Sequence, residues 1–388
     1  MKIQRYILPK LKEYASQFRS IAIMGIRQSG KTTASKLLFS DKGYANFENL
    51  DVLTLSQTDP RGFLNQYITK GAIFDEIQKA PVLFNYLQEI LDNETEKGKY
   101  ILTGSSNFLL NENISQSLAG RIGFIEMYPF SYSEILEIQP NVTIWEAVFK
   151  GGFPEIWAEK INPIFYYPSY IQSFIEKDVR QLIQSKNLIV YQQFVKLLAS
   201  RVGQELNLSS LGQELGIDSK TINSWVSYLQ IAGIIYLLPP YFSNFGKRII
   251  KRPKLYFTDT GIVSSLIGIQ DEIQLENHPL KGNLFENFVV MEFVKNNSFN
   301  FNKANFYYWR TVAGIEIDLL IEKNSKLIPV EIKSGMTYQE SWWKNIKKWQ
   351  EFAKNSEEAI IIYNGIENYE LGNNRKILNY SKIATVLN

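Results

Sequence analysis

The segment Gly25-Ile26-Arg27-Gln28-Ser29-Gly30-Lys31-Thr32 spaces two glycines ahead of a lysine and a hydroxyl. Backbone N–H groups wrap a phosphate closely only where glycines remove the Cβ obstacle; the lysine then reaches the outer phosphates and the hydroxyl serves Mg²⁺. ATP is the expected ligand, with Arg27, Gln28, Ser29 and Thr33 completing the cradle. Ala72-Ile73-Phe74-Asp75-Glu76 is an apolar run ending in acids, which suits Asp75 to the magnesium and Glu76 to polarising the attacking water. A solvated acidic strand end is the plainer alternative. Thr103-Gly104-Ser105 ends another apolar run, where Ser105 either meets the terminal phosphate or caps a helix. Arg121, after Gly120, is read as an arginine reaching a neighbouring subunit's nucleotide or, equally, as a surface ion pair.

A second group lies near the C-terminus: Glu286, Asp318, Glu331 and Lys333. In Glu331-Ile332-Lys333 the strand period of two puts Glu331 and Lys333 on one face and Ile332 on the other. Asp318 faces them from the preceding strand and Glu286 reaches in from a helix. Carboxylates holding Mg²⁺ beside a lysine that positions water are the parts of a phosphodiester hydrolase. Glu316 is an extra ligand or points to solvent, and Pro329 suggests an edge strand or one that starts late. A third group is basic. Lys220 and Asn223, with Ser224 and Ser227, fall on the second helix of a helix-turn-helix spacing, and Lys247, Arg248, Lys251, Arg252 and Lys254 follow, flanked by Phe245 and Tyr256. These are candidate nucleic-acid contacts, with the basic run touching phosphates. A solvated basic hairpin on a structural module is the other reading.

The rest of the composition narrows the chemistry to these groups. The 388 residues include no cysteine and one histidine, His278. Disulfides, thiolate zinc sites and clustered-histidine metal sites are excluded, and a Ser-His-Asp hydrolase would have that one base only. The net charge of +3 carries no global basic field, so any nucleic-acid site is a local patch. The longest apolar runs fall short of the ~20 residues that cross a bilayer, and the N-terminus lacks a signal-peptide pattern. A cytoplasmic protein is expected, with no membrane partner.

The elements needed to position these groups are legible. Leu8 to Phe18 reads as an amphipathic helix, Ser20 to Gly25 as a strand ending in the glycine turn, and Lys31 to Phe39 as a helix with Leu37, Leu38 and Phe39 facing inward. Strands at 72–75 and 99–102 flank a helix with Leu83, Leu87, Ile90 and Leu91 on one face. Strands alternating with helices imply a parallel sheet covered on both sides. From Ser131 to about Arg201 the pattern is helical, broken near Gly151, Gly152 and Pro154. Helices at 208–215 and 219–231 precede strands within 234–240 and 249–257. Beyond Gly282 the order is helix (284–294), strands (315–321 and 327–333), helix (342–353), strand (359–363).

Taken in order, Gly25 to Thr33, Phe74-Asp75-Glu76-Ile77-Gln78, Leu102-Thr103-Gly104-Ser105-Ser106, Leu118-Ala119-Gly120-Arg121 and Gly151-Gly152-Phe153-Pro154-Glu155 resemble a prokaryotic AAA+-type ATPase family with a C-terminal domain of uncharacterised function. The resemblance implies an α/β chain: a P-loop NTPase parallel-sheet core (1–135), a helical lid segment (136–200), a winged helix (201–257) and a C-terminal α/β nuclease-like domain (258–388). Ile317-Asp318 and Glu331-Ile332-Lys333 resemble the strand motifs of PD-(D/E)xK nucleases, with Glu286 as the helix acid. Two functions are expected on this basis. One is an ATP-hydrolysing homo-oligomer acting on nucleic acid, DNA ahead of RNA, with a Mg²⁺-dependent nuclease-like domain. The other is a nucleotide-controlled assembly switch whose C-terminal domain binds partners without cutting.

Overall fold

The strand before the glycine turn is apolar on both faces because both are covered. In a computed structural model, which describes residues 4–104, 120–176, 188–242, 252–353, 358–372 and 374–387, it forms β1 (Ser20–Met24). It lies in a five-stranded parallel sheet with β2 (Gly43–Asn46), β3 (Ala72–Asp75), β4 (Tyr100–Gly104) and β5 (Ile122–Glu126), in the order β2-β3-β4-β1-β5. Ile21, Ile23, Ile73, Ile101 and Ile125 pack on one face with Leu11 of helix Leu8–Gln17 and Ala34 of helix Lys31–Leu38. Ala22, Phe74 and Leu102 face the other way onto Leu83, Leu87 and Leu91 of helix Val82–Asn93. Each buried aliphatic or aromatic side chain contributes about 1.5–3 kcal/mol, so this two-faced layering is what holds the phosphate loop's anchors in place. Lys31, Ala34, Ser35 and Leu38 form the inward stripe of their helix. Leu37 falls off that stripe and is 39% exposed, contrary to the inward orientation expected.

The described residues form two compact units. The first holds those up to Phe130 with Ile231–Ile234 and Ser298–Phe301; the second holds Ser131–Gln230, Ile235–Asn297 and Asn302 onward. The second unit joins what the sequence divides into a helical segment, a winged helix and a C-terminal domain. Buried polar bonds tie those segments together. Asp259 accepts hydrogen bonds from Gly152 N (2.6 Å), the Tyr167 hydroxyl (2.7 Å) and Gly261 N (2.9 Å). Gly151 has φ 64°, and a Cβ there would collide with Asp259 and Tyr167, which explains the glycine at that position. Burial pushes the Asp259 carboxyl above its ordinary range.

Helix Leu208–Leu215 stops at Gly216, whose φ of 67° is left-handed, and helix Ser219–Ile231 follows. Next come β6 (Ile235–Leu238) and β7 (Lys254–Phe257), antiparallel with Ile235 opposite Phe257. Helix Lys281–Phe299 precedes β8 (Asn305–Arg310), β9 (Glu316–Lys323) and β10 (Lys326–Lys333). Helix Lys344–Gln350 leads into β11 (Ala359–Tyr363), followed by β12 (Tyr369–Leu371) and β13 (Arg375–Asn379). The sheet runs β12-β13-β11-β10-β9-β8, with β10 antiparallel to β9 and parallel to β11. Trp309, Ile317, Leu320, Trp343, Ile346, Trp349 and Ile361 form its core. β10 is therefore an inner strand, not an edge. Pro329 sits opposite Leu320 of β9, and pairing with β11 begins only at Val330, so the missing N–H falls before the second ladder starts.

Candidate functional site

At the C-terminal end of β1 the chain turns through the glycine loop into helix Lys31–Leu38, whose first-turn N–H groups have no acceptor within the helix. A Cβ on Gly25 would collide with the Met127 carbonyl, and Gly30 caps the helix at φ 90°. Gln28 adopts φ 60° between them, a left-handed geometry rare outside glycine and asparagine. Ser29 is buried and its hydroxyl has no hydrogen-bond partner. The loop thus keeps buried polar capacity in reserve. Lys31 folds back over it, donating to Gly25 O (2.9 Å) and Ile26 O (2.8 Å), and burial lowers its pKa to about 8. Thr33 is exposed and Arg27 half-buried.

Asp75 lies two strands from β1, with β4 between, yet the helix after the loop brings Thr32 to it. Thr32 Oγ1 is 3.0 Å from both carboxylate oxygens of Asp75. Thr103 donates to Oδ1 and the Tyr44 hydroxyl to Oδ2 at 2.8 Å. The hydroxyl–carboxylate pair Thr32 and Asp75 is a hard-oxygen donor set that fits Mg²⁺. Glu76 follows at φ 56°, a strained position for a non-glycine residue, and accepts a bond from Gln78 Nε2 at 2.6 Å. Arg121 precedes β5, beside Ser20, at the opposite end of the parallel strands and roughly 16 Å of strand length from the loop. It is ion-paired with Asp92. That placement removes it from its own chain's phosphate site, and the pair with Asp92 is the surface ion pair that the sequence offers as the equal alternative. Ser105, expected at this end of β4, lies outside the described residues.

In the second unit β9, β10 and helix Lys281–Phe299 bring the second group together. Ile332 N donates to Asp318 Oδ2 at 2.8 Å, and Lys333 Nζ stands between Asp318 (3.4 Å) and Glu331. As the strand period requires, Ile332 points away and is buried. Burial pushes Glu331 up to about 8, reinforced by Asp318 beside it. Burial also acts upward on Asp318, but Lys333, Lys254 and the Ile332 N–H outweigh it and hold the carboxyl below its usual range. Glu331 Oε1 is buried with no hydrogen-bond partner, an orphaned acceptor that a proton or hard cation would satisfy.

The residue that sequence reasoning misplaced is Lys254. Expected among phosphate-contacting wing residues, it is 2% exposed on β7, with Nζ ion-paired to Glu286 (2.9 Å) and Glu316. Tyr256, its neighbour on the same strand face, donates to the same Glu286 oxygen at 2.6 Å. Glu316 also meets Arg310 at 3.2 Å, so it neither points freely to solvent nor stands open as a ligand. Glu286 is accordingly committed to a lysine and a tyrosine. Among the described residues no three carboxyl or imidazole groups are placed to hold one metal ion. Asp318 and Glu331 are the pair left for a cation.

Of the candidate nucleic-acid contacts, Lys220, Asn223 and Arg252 are exposed, whereas Lys247, Arg248 and Lys251 lie outside the described residues. The Asp218 carboxylate caps helix Ser219–Ile231, accepting from Lys220 N and Thr221 N, so that exposed helix end carries negative charge. Among the described residues no helix is long and apolar enough to cross a membrane.

Comparison with known proteins agrees with the first site and leaves the second open. Residues 17–136 match the model of an AAA domain; residues 141–273 and 281–383 match two domains of unknown function (DUF8612 and DUF4143). The chain is similar to an uncharacterized protein of Mycobacterium tuberculosis, 29% identical over 82% of this chain and 70% of that one. It is also similar to an uncharacterized protein of Methanocaldococcus jannaschii, 26% identical over 88% and 81%. Among solved structures, a Walker-type ATPase of Pyrococcus abyssi aligns at 16% identity and a TM-score of 0.46, over 68% of this chain and 96% of its own. The parallel sheet, the glycine loop with Lys31 and Thr32, and the acids ending β3 agree with the family match: the first third of this chain is an AAA-type P-loop ATPase domain.

Proposed function

We propose that this protein is a Mg²⁺-dependent ATPase that works on nucleic acid, DNA in preference to RNA, through its second unit. The observation that carries the ATPase reading is the bond from Thr32 to Asp75, which joins loop and acid at one point. Bound Mg²⁺ would neutralise phosphate charge there, held by Thr32 and Asp75. Lys31 exchanges the Gly25 and Ile26 carbonyls for phosphate oxygens, and Glu76 orients and polarises the attacking water. Glu76→Gln is expected to bind ATP with unchanged affinity and to lower steady-state phosphate release at least ~100-fold. Release at the wild-type rate removes Glu76 from this role.

The nucleic-acid reading rests on the helix, three antiparallel strands, helix and parallel strand that carry Asp318, Glu331 and Lys333 side by side. The two helices and hairpin at 208–257 have the order of a winged helix. The measurement is Mg²⁺-dependent cleavage of labelled single- and double-stranded DNA and RNA, with and without ATP. Cleavage lost in Asp318→Ala is the expected result. The alternative, a nucleotide-controlled oligomeric switch that grips without cutting, is favoured by the saturation of Glu286 and Glu316 by Lys254. No cleavage with ATP hydrolysis intact selects it.

A further inference from the structure

Tyr44 enters the nucleotide site from an unexpected direction. It lies on β2, the edge strand, directly beside Ile73 of β3. Alternation along β3 puts Asp75 on the same face as Ile73, one diagonal step from Tyr44 and within reach of a tyrosine ring. The Tyr44 hydroxyl donates to Asp75 Oδ2 at 2.8 Å. The carboxylate is 4% exposed and takes three hydroxyls, from the loop helix (Thr32), from β4 (Thr103) and from β2 (Tyr44). Tyr44 itself is 37% exposed, its ring covered on one side by Lys36 Nζ at 3.5 Å. A half-open ring on an edge strand fills no core, so what the position supplies is the hydroxyl.

Resting on the Mg²⁺-ATP reading, we infer that Tyr44 is a positioning residue of the nucleotide site, its hydroxyl fixing Asp75 in the orientation that receives the metal–nucleotide complex. Thr32 is needed by the same cation, so its bond to Asp75 is the one given up on loading. Thr103 and Tyr44 remain to hold one oxygen each. Hydrogen bonds that orient a metal-binding carboxylate typically govern metal affinity or activity by 10- to 100-fold.

The test compares the full-length protein with Tyr44→Phe, using Asp75→Asn as reference, by titrating a fluorescent ATP analogue in EDTA and across Mg²⁺ concentrations. The expected result is unchanged affinity in EDTA, with the Mg²⁺ needed for half-maximal tightening raised about tenfold. ATP turnover should then saturate at correspondingly higher Mg²⁺. A Mg²⁺ curve identical to wild type overturns the inference. So does an equal loss with and without Mg²⁺, which would make Tyr44 a packing residue. If wild type itself shows no tightening by Mg²⁺, the Mg²⁺-ATP reading fails and the inference falls with it, a result distinct from the first two.

Discussion

Lys31→Ala is expected to bind ATP and ADP at least ~100-fold more weakly than wild type, because charge-assisted hydrogen bonds of about 1.5–3 kcal/mol each are lost. The lysine is buried and donates to two carbonyls of its own loop. The substitution therefore removes a ligand contact and also the bonds that tie Lys31 to its own loop. A pH dependence belongs to the same side chain. Burial lowers its pKa to about 8, and phosphate oxygens beside it would raise that value again. Binding then takes up a proton at and above pH 8, so affinity falls as pH rises through that region and levels off below it. Calorimetric titration at several pH values in buffers of different ionisation enthalpy measures both effects. Wild-type affinity in Lys31→Ala would remove the loop from the function.

Lys254→Met is expected to cost about 3–5 kcal/mol of stability at neutral pH, the usual result of breaking a buried ion pair from one side. The ammonium is the shared partner of Glu286 and Glu316, and both carboxylates are mostly buried. Removing it leaves Glu286 with only the Tyr256 hydroxyl and Glu316 with Arg310 at 3.2 Å. The sign with pH follows from the carboxylates. Burial already raises the Glu286 carboxyl, and without its counter-ion it holds a proton more tightly folded than unfolded, so the deficit grows as pH rises through its raised folded pKa and shrinks as acid protonates it. Adding Glu286→Gln to Lys254→Met should recover part of the loss, because the uncompensated charge goes with it. Urea denaturation of wild type, Lys254→Met, Glu286→Gln and the double variant at neutral and acid pH reads this. A loss under about 1 kcal/mol would mean that the pair behaves as a surface salt bridge.

Both results turn on the same division. The phosphate loop is contiguous: the groups that wrap a phosphate are neighbours in the chain, so their spacing determines them before any folding is considered. Glu331 and Lys333 are likewise two residues apart on one strand, and the strand period sets their shared face. What the chain alone did not reveal is nonlocal or weakly patterned. β2, of sequence Gly-Tyr-Ala-Asn, carries little strand signal, and with it went Tyr44, whose link to Asp75 exists only because β2 is laid beside β3. β5, with a glycine inside it, is weakly patterned too, whereas β8 is an exception: its run Phe306-Tyr307-Tyr308-Trp309 is an available strand signal.

Lys254 shows the limit most plainly. Within a basic run it reads as a phosphate contact, and only pairing of β7 with β6, followed by the approach of helix Lys281–Phe299, turns it inward onto two acids. Pro329 reads as a sign of an edge strand or of one that starts late, and the second alternative holds for the inner ladder, whose pairing with β11 begins one residue later. The sequence by itself determined the nucleotide loop, the acid at the end of β3 and the alternation that covers both faces of a parallel sheet. Those depend on spacing and on periods of 2 and 3.6 residues. The tertiary structure alone decided which buried charges are partners, because the cost of an unpaired charge in a low-dielectric interior is met by whichever distant residue the fold brings near.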